Sequence, residues 1–222
     1  MKSLKMAKLK EAIEDSDWEN YWDDVETSSI EKLIQNYKSR WGYRKFASRV
    51  SAYWKKGHVL EVGAGLGYVS RILSKESKHR VFALDYNFNV CVHANRLAQK
   101  EGSSINFIQG DIQQLPFSDN SFEIIMSTGL LEHFDKKELL LMISEMRRTS
   151  SIIIANLPQK HLSWKLCWAL RRCLGSRLDP NQRLYEKENM INLFQKAGFT
   201  SINIKTLKFC GIFPYMSLIA VK

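Results

Sequence analysis

Paired cysteines are missing from this sequence of 222 residues. Its four thiols, Cys91, Cys167, Cys173 and Cys210, are scattered, with no Cys-x-x-Cys spacing. That argues against a disulfide framework or a zinc site and makes a reducing cytoplasm the expected home. Long hydrophobic runs are missing too. Met1 to Glu14 alternates Lys with Leu, Met, Ala and Ile, without the apolar centre of a signal peptide or a membrane span. The stretch from Phe209 to Val221 is broken by Gly211, Pro214 and Ser217 and is too short to cross a bilayer. Internal repeats and low-complexity segments are also absent.

What is present suits one soluble α/β domain. Hydrophobic residues make up 45% and charged residues 25%, ordinary values for a globular chain. The length is enough to bury a core without disulfides or metals. The formal charge of +10 is uneven: Glu11 to Glu31 is acidic, whereas Lys160 to Arg183 is strongly basic. A basic balance suits a nucleic acid or an anionic membrane, and equally an enzyme with an Arg- and Lys-rich surface; charge alone names no partner.

Residues 1–56 read as a helical cap rich in aromatics, among them Trp18, Tyr21, Trp22, Tyr37, Trp41, Tyr43, Phe46 and Trp54. From residue 57, short apolar or β-branched runs alternate with helical periodicity. Strands are expected at His58–Val62, Arg80–Asp85, Ile105–Gln109, Phe122–Ser127 and Ser151–Leu157. Helices are expected at Tyr68–Glu76, Asn89–Glu101 and Lys136–Arg148. This alternation predicts a parallel sheet with helices on both faces. A helix over Glu186–Ala197 and strands at Ser201–Leu207 and about Ile212–Val221 close the chain. The short link between the last two strands forces them antiparallel.

The sharpest motif is Val59-Leu-Glu61-Val-Gly63-Ala64-Gly65-Leu-Gly67-Tyr68, a buried strand running through three glycines into a helix. Glycines allow backbone conformations closed to other residues and let a ligand approach the main chain. The spacing is G-x-G-x-G, with an acid two residues before the first glycine. It is neither the G-x-G-x-x-G of dinucleotide enzymes nor a phosphate loop ending in G-K-[ST]. Asp85 closes the next strand, about 20 residues on, where an acid can accept hydrogen bonds from both ribose hydroxyls of an adenosine. It fits NAD as well, and a strand-end Asp also caps helices. After the third strand comes Phe107-Ile-Gln-Gly110-Asp111-Ile112-Gln-Gln-Leu-Pro116-Phe, with an acid placed for an adenine amine.

In this order the motifs resemble those of class I, Rossmann-like S-adenosylmethionine-dependent methyltransferases, in particular the small-molecule branch with the ubiquinone and menaquinone biosynthesis enzymes. The resemblance covers roughly Val59 to Val221. It implies a doubly wound, mostly parallel seven-stranded sheet in the order 3-2-1-4-5-7-6, last strand antiparallel, with an N-terminal helical lid. It also implies roles. Glu61, Gly63, Ala64, Gly65 and Gly67 would frame the methionine and ribose part of the cofactor. Asp85 would hold the ribose, with Tyr86 or Asn87 beside the adenine. Asp111 would bond the adenine amine, with the amide of Ile112, and Ser127 and Thr128 would line the floor beneath the sulfonium.

S-adenosylmethionine brings its own activated methyl group, so little catalytic machinery is required of the protein. His133, in Leu130-Leu131-Glu132-His133-Phe134, is the candidate base, its ordinary pKa near 6.5 suiting proton removal. The alternative is a histidine that only packs near the cofactor. Glu132, His133 and Asp135 match no metal-ligand spacing, and no metal is expected. Methyltransferases of base amines carry an Asn/Asp-Pro-Pro-aromatic motif where this chain has Ser127-Thr-Gly-Leu130, so nucleic acid is not the expected acceptor.

Two segments are expected to face the substrate, a small molecule of lipid-like or aromatic kind. Tyr21, Trp22, Trp41 and Tyr43 are candidates for an apolar lid or for core packing, and Arg40 or Arg44 for meeting the cofactor carboxylate. An insertion spanning 159–183 contains a helix from His161 to Leu174 with Leu162, Leu166, Leu170 and Leu174 on one face. The expectation is a lid whose leucines pack on the domain while arginines face water. The alternative is peripheral contact of 161–174 with an anionic membrane. Other readings are an RNA or protein methyltransferase, favoured by charge alone, a silent cofactor-binding scaffold, and an NAD-dependent oxidoreductase.

Overall fold

The structure, a computed structural model, describes residues 42–76, 80–173, 182–209 and 212–222. Most of the expected cap, including Trp18, Tyr21, Trp22, Tyr37, Arg40 and Trp41, lies outside the described residues. The elements run α1 (Arg44–Tyr53), β1 (Val59–Val62), α2 (Tyr68–Glu76), β2 (Val81–Asp85), α3 (Phe88–Lys100) and β3 (Ile105–Gln109). Then come β4 (Phe122–Thr128), α4 (Lys136–Thr149), β5 (Ser150–Pro158), α5 (Leu162–Cys173), α6 (Lys187–Lys196), β6 (Ser201–Phe209) and β7 (Phe213–Val221). Short 3₁₀ turns follow β3 (Ile112–Gln114) and β4 (Leu131–His133).

The strands form one sheet in the order β3-β2-β1-β4-β5-β7-β6. β1 pairs in parallel with β2 and β4, β2 with β3, and β4 with β5. β7 runs antiparallel between β5 and β6. The sheet is that of the expected fold class. Its central strands bury both faces, which is why β1 is buried at all four positions despite having no polar–apolar alternation.

One face packs Leu60, Leu84, Ile125, Ile153 and Leu218 against Leu139, Met142 and Met146 of α4 and Leu193 and Phe194 of α6. The other packs Val59, Val81, Ile124, Met126 and Ile154 against Phe46, Ala47 and Val50 of α1 and Val69 and Leu73 of α2. The described end of the N-terminal region is therefore core. Phe46 and Trp54 pack as ordinary apolar residues, while Tyr43 stacks on Tyr68 with ring centroids 5.3 Å apart. Arg44 is exposed.

Local chemistry fixes the turns that frame the cleft. Asp135 caps α4 by accepting the amides of Lys137 (2.7 Å) and Glu138 (2.9 Å), and Glu138 accepts the amide of Asp135 (2.6 Å). This reciprocal box satisfies helix N–H groups that otherwise have no partner. Asp135→Ala is expected to cost about 1 kcal/mol in thermal or urea denaturation. Arg148, at the other end of α4, donates to the carbonyls of Leu115 (3.0 Å) and Phe117 (2.8 Å) and pairs with Glu145 and Asp119. That ties down the Leu-Pro-Phe segment between β3 and β4.

Candidate active site

The carboxyl ends of β1 to β5 share one rim, where open α/β sheets place ligands. The glycine loop leaves β1 there. Gly63, Gly65 and Gly67 have φ of 61°, 51° and 65°, the left-handed region that disfavours any other residue. Two of them also make room for neighbours. A Cβ on Gly63 would come within 2.5 Å of the Leu130 side chain, and one on Gly67 within 2.9 Å of the Phe107 ring. The loop is held by hydrogen bonds that the Ala64 amide donates to the Leu84 carbonyl (3.1 Å) and the Gly67 amide to that of Ala64 (2.8 Å).

Glu61 is 3% exposed. Its Oε2 accepts the Ser70 amide (3.0 Å) and hydroxyl (2.6 Å), clamping β1 to the first turn of α2. Burial pushes its pKa up to about 7, against the lowering effect of the Ser70 bonds.

Asp85 sits across from the loop. Its Oδ2 accepts the Gly65 amide at 2.8 Å and its Oδ1 the Asn87 amide at 3.1 Å. Burial raises its pKa, while these backbone donors pull it down. The helix-capping role belongs to Asn87 instead, whose side chain accepts the Val90 amide at 3.0 Å. Tyr86 is exposed and Asn87 buried. The Gly110 amide donates to the Asp85 carbonyl (2.9 Å), which brings the end of β3 beside the end of β2. Asp111 follows, its Oδ1 accepting the Gln113 amide (2.8 Å), with Ile112 buried behind it. Both predicted acids thus stand on one rim with the glycine loop.

The floor is polar where β4 and β5 end. Ser127 is 1% exposed, and its Oγ has no hydrogen-bond partner among the described residues. Thr128 lies in register with Asn156, whose buried Oδ1 is likewise unpartnered among the described residues. Gly129 has φ 77°, and a Cβ there would meet nothing within 4 Å.

Asn156 also faces Ser217 across the β5–β7 ladder, and the Ser217 hydroxyl accepts from the Arg49 guanidinium of α1. Sequence reading passed over Asn156, Arg49 and Ser217. The one available signal was a polar residue interrupting the run Ile152-Ile-Ile-Ala-Asn156.

His133 is buried at 3% exposure in the turn after β4. A strap from the far end of the insertion holds that turn. The Arg183 amide donates to the Glu132 carbonyl (2.7 Å), its guanidinium to the His133 carbonyl, and the Tyr185 hydroxyl to the Phe134 carbonyl. The Lys160 amide donates to the Tyr185 carbonyl (2.9 Å). Both ends of the insertion are therefore anchored beside the turn carrying His133. Among the described residues, no group of three or more His, Cys, Asp or Glu side chains could hold a metal ion.

The expectation for the insertion helix is overturned in one respect. Leu162, Leu166 and Leu170 are 65%, 62% and 61% exposed, and Leu174 lies outside the described residues. The buried side is the indole side. Trp164 packs against Phe213 and Tyr215 with centroids 5.0 and 4.9 Å away, and its Nε1–H donates to the Pro214 carbonyl at 2.8 Å. An indole gains both area and a hydrogen bond there, which leucine cannot. The Pro214 carbonyl also accepts the Gln159 amide at 3.0 Å, so Trp164→Phe removes one of its two donors and should cost about 1 kcal/mol, read as a lower unfolding midpoint.

The donor set suits an adenosyl cofactor. Two carboxylates stand by a glycine turn, the Ser127 and Asn156 oxygens lack partners among the described residues, and open space lies over Gly129. Residues 59–151 match the family described as "Methyltransferase domain". Over those residues, less than half of the chain, it is similar to methyltransferase domains.

The chain is 36% identical over 92 residues to a sterol 24-C-methyltransferase of Gibberella zeae, covering 40% of this chain and 24% of that one. It is 36% identical over 88 residues to a ubiquinone/menaquinone biosynthesis C-methyltransferase of Legionella pneumophila, covering 37% and 35%. The chain thus spans about a quarter to a third of the length of these two relatives. In fold it is similar to the magnesium protoporphyrin IX methyltransferase of Synechocystis crystallised with SAH. That match has a TM-score of 0.74 at 17% identity and covers 98% of this chain and 99% of the other.

Proposed function

We propose that this chain transfers the methyl group of S-adenosylmethionine to an O, N or C atom of a small molecule. The observation that carries the reading is the convergence of Asp85 and Asp111 on one rim beside the glycine loop. When bound, the cofactor supplies a methyl group already activated on sulfur.

The residues then have positioning work. Asp85, fixed by the Gly65 and Asn87 amides, accepts the ribose hydroxyls, and Tyr86 and Asn87 flank the base. Asp111 keeps Oδ2 for the adenine amine, with Ile112 offering its amide. Gly63, Ala64, Gly65 and Gly67 shape the cradle for the methionine end, and Glu61 faces its ammonium group. Ser127 and Thr128 form the floor, and their oxygens orient the acceptor in line with the methyl–sulfur bond. His133 takes the acceptor's proton where that proton must leave. The described ends of the insertion, Lys160 and Arg183, anchor it beside the His133 turn, where they help to exclude water.

The acceptor belongs to the lipid-like or aromatic class. The relatives support this, being named for a sterol, a tocopherol and a quinone pathway. A reducing, cytoplasmic setting is part of the same reading, supported by free thiols at Cys91, Cys167 and Cys173. Isothermal titration with S-adenosylmethionine, its demethylated product and NADH is the first test. The expected result is binding of the first two and none of NADH; the reverse sinks the reading. A metabolite-extract screen with radiolabelled cofactor then identifies the acceptor.

A further inference from the structure

The exposed side of α5 is largely apolar from Leu162 to Leu170. Leu162, Leu166 and Leu170 stand out at intervals of four residues, each more than 60% exposed, and Ala169 and Lys165 are exposed on the same side. An amphipathic helix that buries Trp164 and offers its leucines to water loses apolar burial, so a covering surface is implied.

The stripe continues onto a second element. Ile212, at the β6–β7 turn, is 63% exposed. Its carbonyl accepts the Ser163 hydroxyl of α5 at 3.3 Å, and Trp164 fastens the same helix to Pro214. Ile212 and the described part of α5 thus form one apolar ridge. β7 runs antiparallel to β5, so its first residues sit at the carboxyl-end rim that carries Asp85, Asp111 and Gly129.

Charge decides between occupants. Lys165 is exposed on the ridge itself and Lys205 and Lys208 are exposed on β6, while Lys160 at its foot is paired with Glu186 at 2.7 Å. Along the sequence, 160–183 holds basic residues at 160, 165, 171, 172, 177 and 183 against the single acid Asp179. A second copy would bring the same positive field against itself. An anionic lipid surface takes both parts, with leucines entering the acyl boundary and lysines meeting headgroups. Among the described residues, no helix is long and apolar enough to cross a membrane, so the contact is peripheral.

We propose that the ridge formed by Leu162, Leu166, Leu170 and Ile212 docks this chain on an anionic lipid surface, with the cleft rim turned toward the bilayer. The docking stands on the ridge alone. That the acceptor is drawn from the lipid phase rests on the methyl-transfer reading above.

The test is co-sedimentation of the full chain with phosphatidylcholine vesicles, with and without phosphatidylglycerol. The wild type should pellet with the anionic vesicles and remain in the supernatant with the neutral ones. Leu166→Asp/Leu170→Asp changes two exposed side chains and should keep the fold and cofactor affinity while weakening vesicle binding by at least about tenfold. Lys165→Glu should weaken it about fivefold or more, and added salt should mimic that change. The proposal is overturned if the wild type ignores anionic vesicles or if the double variant pellets equally well. It is also overturned if light scattering shows a wild-type dimer that the double variant dissolves, because the ridge would then be a contact between copies. Titration with S-adenosylmethionine is read separately, so failed docking and failed cofactor binding are distinguishable.

Discussion

Asp85→Ala is expected to weaken S-adenosylmethionine binding by about 100- to 10,000-fold while barely lowering the melting temperature. In the proposed pose the carboxylate accepts two ribose hydroxyls, each charge-assisted bond contributing about 1.5–3 kcal/mol, and every 1.4 kcal/mol is about tenfold in affinity. The same side chain holds the Gly65 amide at 2.8 Å, so its removal also loosens the glycine turn that shapes the cradle.

Folding should be nearly indifferent. Burial raises the Asp85 pKa, which means that the charged form is held at a cost in the empty protein. Removing the side chain relieves that cost as it takes away the acceptors of two backbone amides, those of Gly65 and Asn87. Asp85→Asn keeps an acceptor without the charge and should lose only about tenfold. The demethylated product should show the same ranking, because the contact is to the adenosyl half. Calorimetry showing less than about a threefold change in Asp85→Ala would remove Asp85 from the site.

The strands were legible because each is a short apolar or β-branched run stopped by glycine, charge or turn residues. The expected Ile105–Gln109 and Tyr68–Glu76 match the structure to the residue, and other ends shift by one or two. The sheet order came from the resemblance and not from periodicity, which carries no information on neighbours. Glu61, Asp85 and Asp111 were legible because strand ends and a glycine turn fix where their side chains begin.

Less was visible where partners are far apart in sequence. The Trp164 indole finds the Pro214 carbonyl fifty residues away. A helix with a leucine stripe and a tryptophan stripe does not declare which one the sheet edge prefers. Asn156, Arg49 and Ser217 meet only because β4, β5 and β7 are neighbours and α1 crosses them. The glycines were read as openings for a ligand, yet at 63 and 67 the missing Cβ also admits Leu130 and Phe107, a use that no local pattern distinguishes.

Glu61→Gln is expected to stabilise the empty protein above neutral pH and to weaken it as an enzyme. The carboxyl titrates near 4.5 when unfolded and at about 7 in the fold, because burial disfavours its charge. Between those values the folded state keeps a proton that the unfolded chain has given up. The contribution is therefore fully present below about pH 4.5 and is lost as pH rises through 7, roughly 3 kcal/mol in all. Glutamine keeps an oxygen for the Ser70 amide and hydroxyl and has no charge to bury. Its melting temperature should be nearly flat from pH 5 to pH 8, where the wild type falls by roughly 5–10 °C.

Cofactor affinity should move the other way. A buried carboxylate held next to Asp85 is costly in the empty cleft and useful once a cation arrives, so Glu61→Gln should bind S-adenosylmethionine about tenfold less tightly. Thermal melts at pH 5 and pH 8, paired with titration calorimetry, separate the two effects. Parallel melting curves for the two proteins across that range would show that Glu61 carries no displaced proton, and the proposed pairing with the cofactor's ammonium would lose its physical basis.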